Sequence, residues 1–419
     1  MDAIVDKKAM FEEKTKRLND AVALKETDRV PVAYSAMFWH SFYAGETVRR
    51  AMYDYDWLAE ITLKIAQDLD PDGVNPPHMI NALGPTMDLI GYKQLEWPGH
   101  GVDEHSGYQY VDAEYMKPEE YDDFIMDPSW FYLTKFMPRV ADIYAPFAKL
   151  PQFPAFQHTR MIQMSRFFAN PDLQAAFDRL GKAGEEMLRM FARANRFIDE
   201  LKVLGYPLSQ STTSAAPYDY FADYLRGSKG IMLDLFRRKD KLLEAMERLV
   251  PILVRNGVLA IQPFECKVMF MPMHWGLDGF MSLDQFKTFF WPQLRKVMMG
   301  FIENGIVPLI LWEGDCASRL ETIADVPKGT CIYWFERTDL RLAKAVLGSH
   351  VCLRGNVPPS LFNTGNPDDV TDYCRSLIKD VGKGGGFILD GGVGIPDEAK
   401  IENARAMYQA AKRFAPGVG

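Results

Sequence analysis

The second half of the chain alternates short apolar runs with longer amphipathic stretches. VMFMPM (268–273), IVPLILW (306–312), TCIYWF (330–335), HVCLRG (350–355) and GGFILD (385–390) read as strands. Leu283–Asn304, a segment starting near Ala317, Leu340–Leu347, Pro367–Val381 and Asp397–Phe414 read as helices. Apolar runs this short, each followed by an amphipathic helix, predict a parallel sheet covered by helices. A repeat of roughly 25–35 residues with right-handed crossovers predicts a closed (β/α)8 TIM barrel. An open doubly wound sheet shares the pattern, but no GxGxxG follows the first strand, VPVAYS, so a dinucleotide fold loses weight.

The first half is less regular. YPLSQST (206–212) is a further strand, and Lys93–Val111 a hairpin. Helices and aromatic-rich segments such as QFPAFQ (152–157) lie between. These predict helical and hairpin insertions capping the barrel mouth. No linker divides the chain, so residues 1–419 are expected to form one domain.

Composition narrows the partners. Apolar residues make up 47% and charged residues 25%, an ordinary globular balance. A net charge of −8 argues against nucleic acid, which needs a basic face. No apolar run reaches the ~18 residues of a membrane span. The charged N-terminus lacks the apolar core of a signal peptide, and the five cysteines are odd in number. A cytoplasmic protein with reduced thiols is the expectation. The oligomer is left open, a homodimer among the options.

Candidate chemistry follows from the strand ends, because active sites of barrels form there. His274 ends one strand; Glu313, Asp315 and Cys316 follow the next; Glu336 ends another; Arg354, Asn356 and Asp390 belong to the last two. Glu313 directly follows Ile310, Leu311 and Trp312, where an unpaired carboxylate is costly. His274, Glu313 and Cys316 make a plausible metal set, and Glu336 and Asp315 plausible acids. Each also has a plain reading: a hydrogen-bonded histidine, a packed thiol, a carboxylate paired with Arg337, a turn cap. Phe38, Trp39, His40, Trp275, Trp312 and Trp334, with Asn356, are candidates for an aromatic substrate pocket. The glycines of GKGGGFILDGG are better explained by a helix end turning into a strand than by a phosphate loop.

The segment from CLRGNVPPSL through GGFILDGGVG to the EN of the last helix resembles the C-terminal signature of the uroporphyrinogen decarboxylase superfamily. ETDRVPVAYS resembles its first strand, and HWGLDGFMSLDQFKTFFWPQL an inner strand-to-helix unit. True decarboxylases resemble one another in an arginine-bearing loop after strand one; here it reads SAMFWHSFYAG. Their G-H-G is Gly392-Val393-Gly394. Thiol-type methyltransferases of the superfamily share H-x-C and a distant cysteine that hold zinc; here those places read Trp312-Glu313-Gly314-Asp315-Cys316 and Val393.

The block WEGDC…YWFERTD…CLRGNVPPSL is similar to the methyltransferase components of anaerobic aryl O-demethylases. That resemblance implies methyl transfer from a methoxylated aromatic to cobalt(I) of a corrinoid on a partner protein. Zinc would polarise the ether oxygen, or Glu336 or Asp315 would protonate it. A methylamine, thiol or halide donor, a decarboxylase-like lyase and a non-catalytic tetrapyrrole binder remain alternatives.

Overall fold

The computed structural model describes residues 6–153 and 157–415. Pro154, Ala155 and Phe156 of the aromatic QFPAFQ stretch therefore lie outside the described residues. Eight parallel strands carry the architecture: β1 (Ala33–Tyr34), β2 (Gly73–Val74), β3 (Thr212–Thr213), β4 (Val268–Met273), β5 (Val307–Trp312), β6 (Ile332–Phe335), β7 (Cys352–Val357) and β8 (Phe387–Gly391). β3 to β8 form one sheet in sequence order, and β1 pairs with β2. Isolated parallel bridges join Val32 to Leu389 and Val74 to Leu208. Backbone hydrogen bonds reinforce them, with Leu389 donating to Pro31 and Val74 to Pro207, at 2.8 and 2.9 Å.

Both faces of this sheet are buried, which explains why its strands read as apolar runs rather than as alternating ones. The side-chain period of two still sorts the residues. Leu309, Leu311, Ile332, Trp334, Cys352 and Ile388 form one cluster on one face. Ile310, Trp312, Tyr333, Phe335, Leu353 and Leu389 face the helices. β4 occupies the expected 268–273. β6 starts two residues later than the sequence suggests, and β7 runs on to Val357.

Local chemistry fixes the ends. Helix α1 (Lys7–Val22) is tied down by Arg17, which reaches the buried Asp72 at 2.6 Å. Arg29 and the Val32 amide meet the same carboxylate, so Asp72 clamps β1 beside β2. Gly384, Gly385 and Gly386 all have positive φ, and a Cβ at Gly385 would collide with the Lys25 carbonyl. The glycine run is thus a turn, as expected. The expected hairpin is present, with Leu95–Pro98 antiparallel to Gln109–Tyr110. The final helix begins at Ile401 and not at Asp397; Asp397 instead accepts the Phe38 amide at 2.8 Å.

Candidate active site

The groups that converge lie at the C-terminal ends of β3, β4 and β5. After β3 the chain turns at Pro217 into a helix whose second part, Tyr220–Arg226, is π-helical. Such widened turns are frequent at functional sites. It carries Asp219 and Asp223 toward the end of β4. Asp219 is buried and accepts the backbone amides of His274 and Trp275, at 2.8 and 3.2 Å. Burial, and next the charge of Asp223, push its carboxyl up to about 8. Asp223 accepts from His274 Nδ1 at 2.7 Å and from the Trp275 indole at 2.7 Å. Glu313 faces the other ring nitrogen, Oε1 to Nε2 at 3.5 Å.

His274 is therefore held between two carboxylates. Burial works against its charge, but Asp223, Glu313 and Asp219 outweigh that and raise it to about 11. At neutral pH the ring is an imidazolium. Nδ1–H is committed to Asp223, whereas Nε2–H points to Glu313, whose side chain is partly exposed. An incoming acceptor can replace Glu313 as the partner of that second proton.

A cavity of about 370 Å³ is lined by Met52, Met79, Leu83, Tyr108, Tyr110 and Tyr224 among others; its wall holds none of His274, Asp223 or Glu313. Tyr110 links the two regions: it hydrogen-bonds Tyr224 and feels the charges of His274, Asp223 and Glu313. An apolar, aromatic pocket with a few polar groups at one wall is the usual form of a small-molecule site.

The sequence-derived candidates divide. His274, Glu313 and Trp275 come together. Glu336 follows β6 at the same end, with its amide bonded to the Trp312 carbonyl at 3.1 Å and its carboxylate beside Arg337. Asp315 caps a turn, accepting the Ala317 amide and the Thr338 hydroxyl. Several expectations need correction. Cys316 is buried, with Sγ 3.3 Å from the Thr338 hydroxyl, and burial pushes its thiol up to about 12. Among the described residues no three His, Cys, Asp or Glu side chains are grouped so that they could hold a metal ion. The set His274, Glu313 and Cys316 thus does not fit zinc: the thiol faces a hydroxyl, and both histidine nitrogens face carboxylates.

Trp39 and Trp312 are fully buried and pack in the core, because their strand and helix positions face other elements. Phe38 packs edge-on against Tyr108, and His40 is buried and neutral, burial lowering it to about 3. Trp334 lies under Arg354 and donates to the Gly391 carbonyl. Asn356 is buried and donates to the Thr338 carbonyl. None of Trp39, His40, Trp312, Trp334 or Asn356 lines this cavity.

Asp219 and Asp223 are not among the strand-end candidates, because they lie on a helix. They were hidden in PYDYFADY, whose rings suggest a pocket wall. The signal was there: two carboxylates four residues apart, one helical turn, directly after a strand.

Residues 213–414 match the family model described as uroporphyrinogen decarboxylase. That span runs from β3 to the end of the last helix. A uroporphyrinogen decarboxylase of Pseudomonas fluorescens is 29% identical over 175 residues, 41% of this chain and 46% of that protein. One of Saccharophagus degradans is 29% identical over 174 residues, with the same coverages. The chain spans about half the length of these curated relatives. Among solved structures, a methyltransferase from Methanosarcina mazei superposes with a TM-score of 0.61 at 14% identity, covering 95% of this chain and 98% of the other. In sequence the second half of the chain, from β3 to the last helix, is thus similar to uroporphyrinogen decarboxylases, and the fold as a whole is similar to that of the methyltransferase.

Proposed function

We propose that this protein is a methyltransferase that takes the methyl group of a methoxylated aromatic, and that its eight parallel strands close into a (β/α)8 barrel. The ring of pairings from β1 through β8 and back supports the barrel. One observation carries the activity: His274, held charged between Asp223 and Glu313 with its second proton toward a partly exposed carboxylate, acts electrostatically on Tyr110, a wall residue of an apolar, tyrosine-lined cavity. A phenolate leaving group needs such a donor. With His274 raised to about 11 and a phenol near ~10, the proton can be shared with the departing oxygen.

The chain's residues divide the work. The cavity holds the ring. Asp223 fixes Nδ1–H and so aims Nε2–H outward. Asp219, bonded to the amides of His274 and Trp275, holds the loop after β4 against the helix after β3. A cobalt(I) corrinoid on a partner protein, when bound, supplies the methyl acceptor. The mouth suits a flat apolar visitor: Met79, Tyr110 and Phe280 are large and exposed, and Phe280 packs tilted against Trp275. A cytoplasmic setting belongs to this proposal, as does the partner protein. No step is assigned to zinc.

A porphyrin decarboxylase fits less well. The loop Ser35–Gly45 has no arginine, and the buried Arg354 is engaged by Asp390 at 2.6 Å. Propionate groups would find no paired guanidinium. The test is turnover of methoxylated aromatics with reduced cobalamin, followed by absorbance, alongside methylamine, thiol and halide donors. Transfer only from one of those other donors would overturn the aromatic assignment.

A further inference from the structure

The opposite end of the sheet holds a larger cavity, about 630 Å³. It opens among the residues that begin the parallel strands, Ala33, Val268, Val307, Ile332 and Ile388, and α1 covers it through Phe11 and Leu18. β4 spans six residues, so roughly 20 Å of strand separates this cavity from His274. The site described above uses none of its residues.

Two polar groups on its wall are unusual. Arg354 is 1% exposed. Its Nε and Nη2 bind Asp390, and Nη2 also reaches Ser35, while Nη1 has no acceptor among the described residues. Ser209 also lines the cavity, and its buried hydroxyl has no hydrogen-bond partner. Buried donors are normally satisfied, so the Ser209 hydroxyl awaits an acceptor; the Arg354 guanidinium lies over the Trp334 ring and keeps Nη1 for one. The remaining cations at the rim are occupied: Lys202 pairs with Glu265 at 2.6 Å, and Lys267 donates to the carbonyls of Ile261 and Gln262.

The ligand's chemistry follows from these walls. The strand-start side chains call for an apolar body. The charge of Arg354 is already matched by Asp390, so an anion would bring an unmatched buried charge. A neutral acceptor oxygen adds none. We propose that this cavity is a second ligand site, taking a neutral, mainly apolar molecule with one amide or ketone oxygen that accepts from Arg354 Nη1 or the Ser209 hydroxyl.

Octanamide is a suitable probe, titrated calorimetrically into the full chain. The expected result is saturable one-to-one binding that raises the melting temperature. Octanoate and octylamine should bind at least about tenfold more weakly, since neither presents a neutral acceptor to the arginine. Thr15→Trp on α1 and Val307→Phe at the start of β5 both fill the cavity and should weaken octanamide by a similar factor. Melting curves report whether each variant is folded, and either one suffices. No saturable binding by the wild type overturns the proposal. So does undiminished binding by the folded filling variants, or octanoate binding as tightly as octanamide.

Discussion

His274 carries the proposed proton transfer. His274→Gln keeps a hydrogen-bonding side chain of similar reach but removes the charge. Methyl transfer should fall by roughly 10²–10⁴-fold, the range for losing a general acid, while a melting curve shows the protein folded. The raised pKa also sets a sign for stability. A group raised from 6.5 to about 11 stabilises the fold fully below its unfolded value and loses that contribution as pH rises through the folded one. The difference in melting temperature between wild type and His274→Gln should therefore shrink between about pH 7 and pH 11. A difference that grows over that window would contradict the imidazolium. Trp312 makes the opposite case. Buried and packed on Phe286, Phe290 and Tyr333, it is core; Trp312→Ala should cost about 3–5 kcal/mol in denaturant unfolding. A Trp312→Phe protein that stays folded but shows a many-fold higher KM would restore it to the substrate pocket.

At the scale of elements, the π-helical turn Tyr220–Arg226 is the device that aims Asp223. Deleting Ala222 should convert it to an ordinary α-turn and rotate Asp223 away from the ring. Activity should be lost with little change in circular dichroism; retained activity would mean the turn is incidental. The same scale shows what sequence reveals. β4 and β5 were legible because each is a six-residue apolar run with its own turn signals. β1, β2 and β3 contribute two residues each, too few for a period to show. The hairpin announced itself through its glycines and alternating rings. The site was half legible: the strand-end rule finds His274 and Glu313, because it needs only strand order. Their partners sit on a helix, where the choice between pocket wall and proton relay depends on side-chain direction. Cys316 and Trp312 were misassigned for a related reason. Position at a strand end does not say which face a side chain takes.

For the whole molecule, the arginine-free loop after β1 and the closed Arg354–Asp390 pair predict no formation of coproporphyrinogen from uroporphyrinogen; product detected by fluorescence after oxidation would overturn that. The central claim is methyl transfer assisted by a charged histidine. It is tested most directly by following reduced cobalamin spectroscopically with methoxylated aromatics, wild type beside His274→Gln. The wild type should form methylcobalamin, and the variant should do so at least about 10²-fold more slowly. Equal rates for the two proteins, or a wild type that demethylates none of these donors, would contradict it.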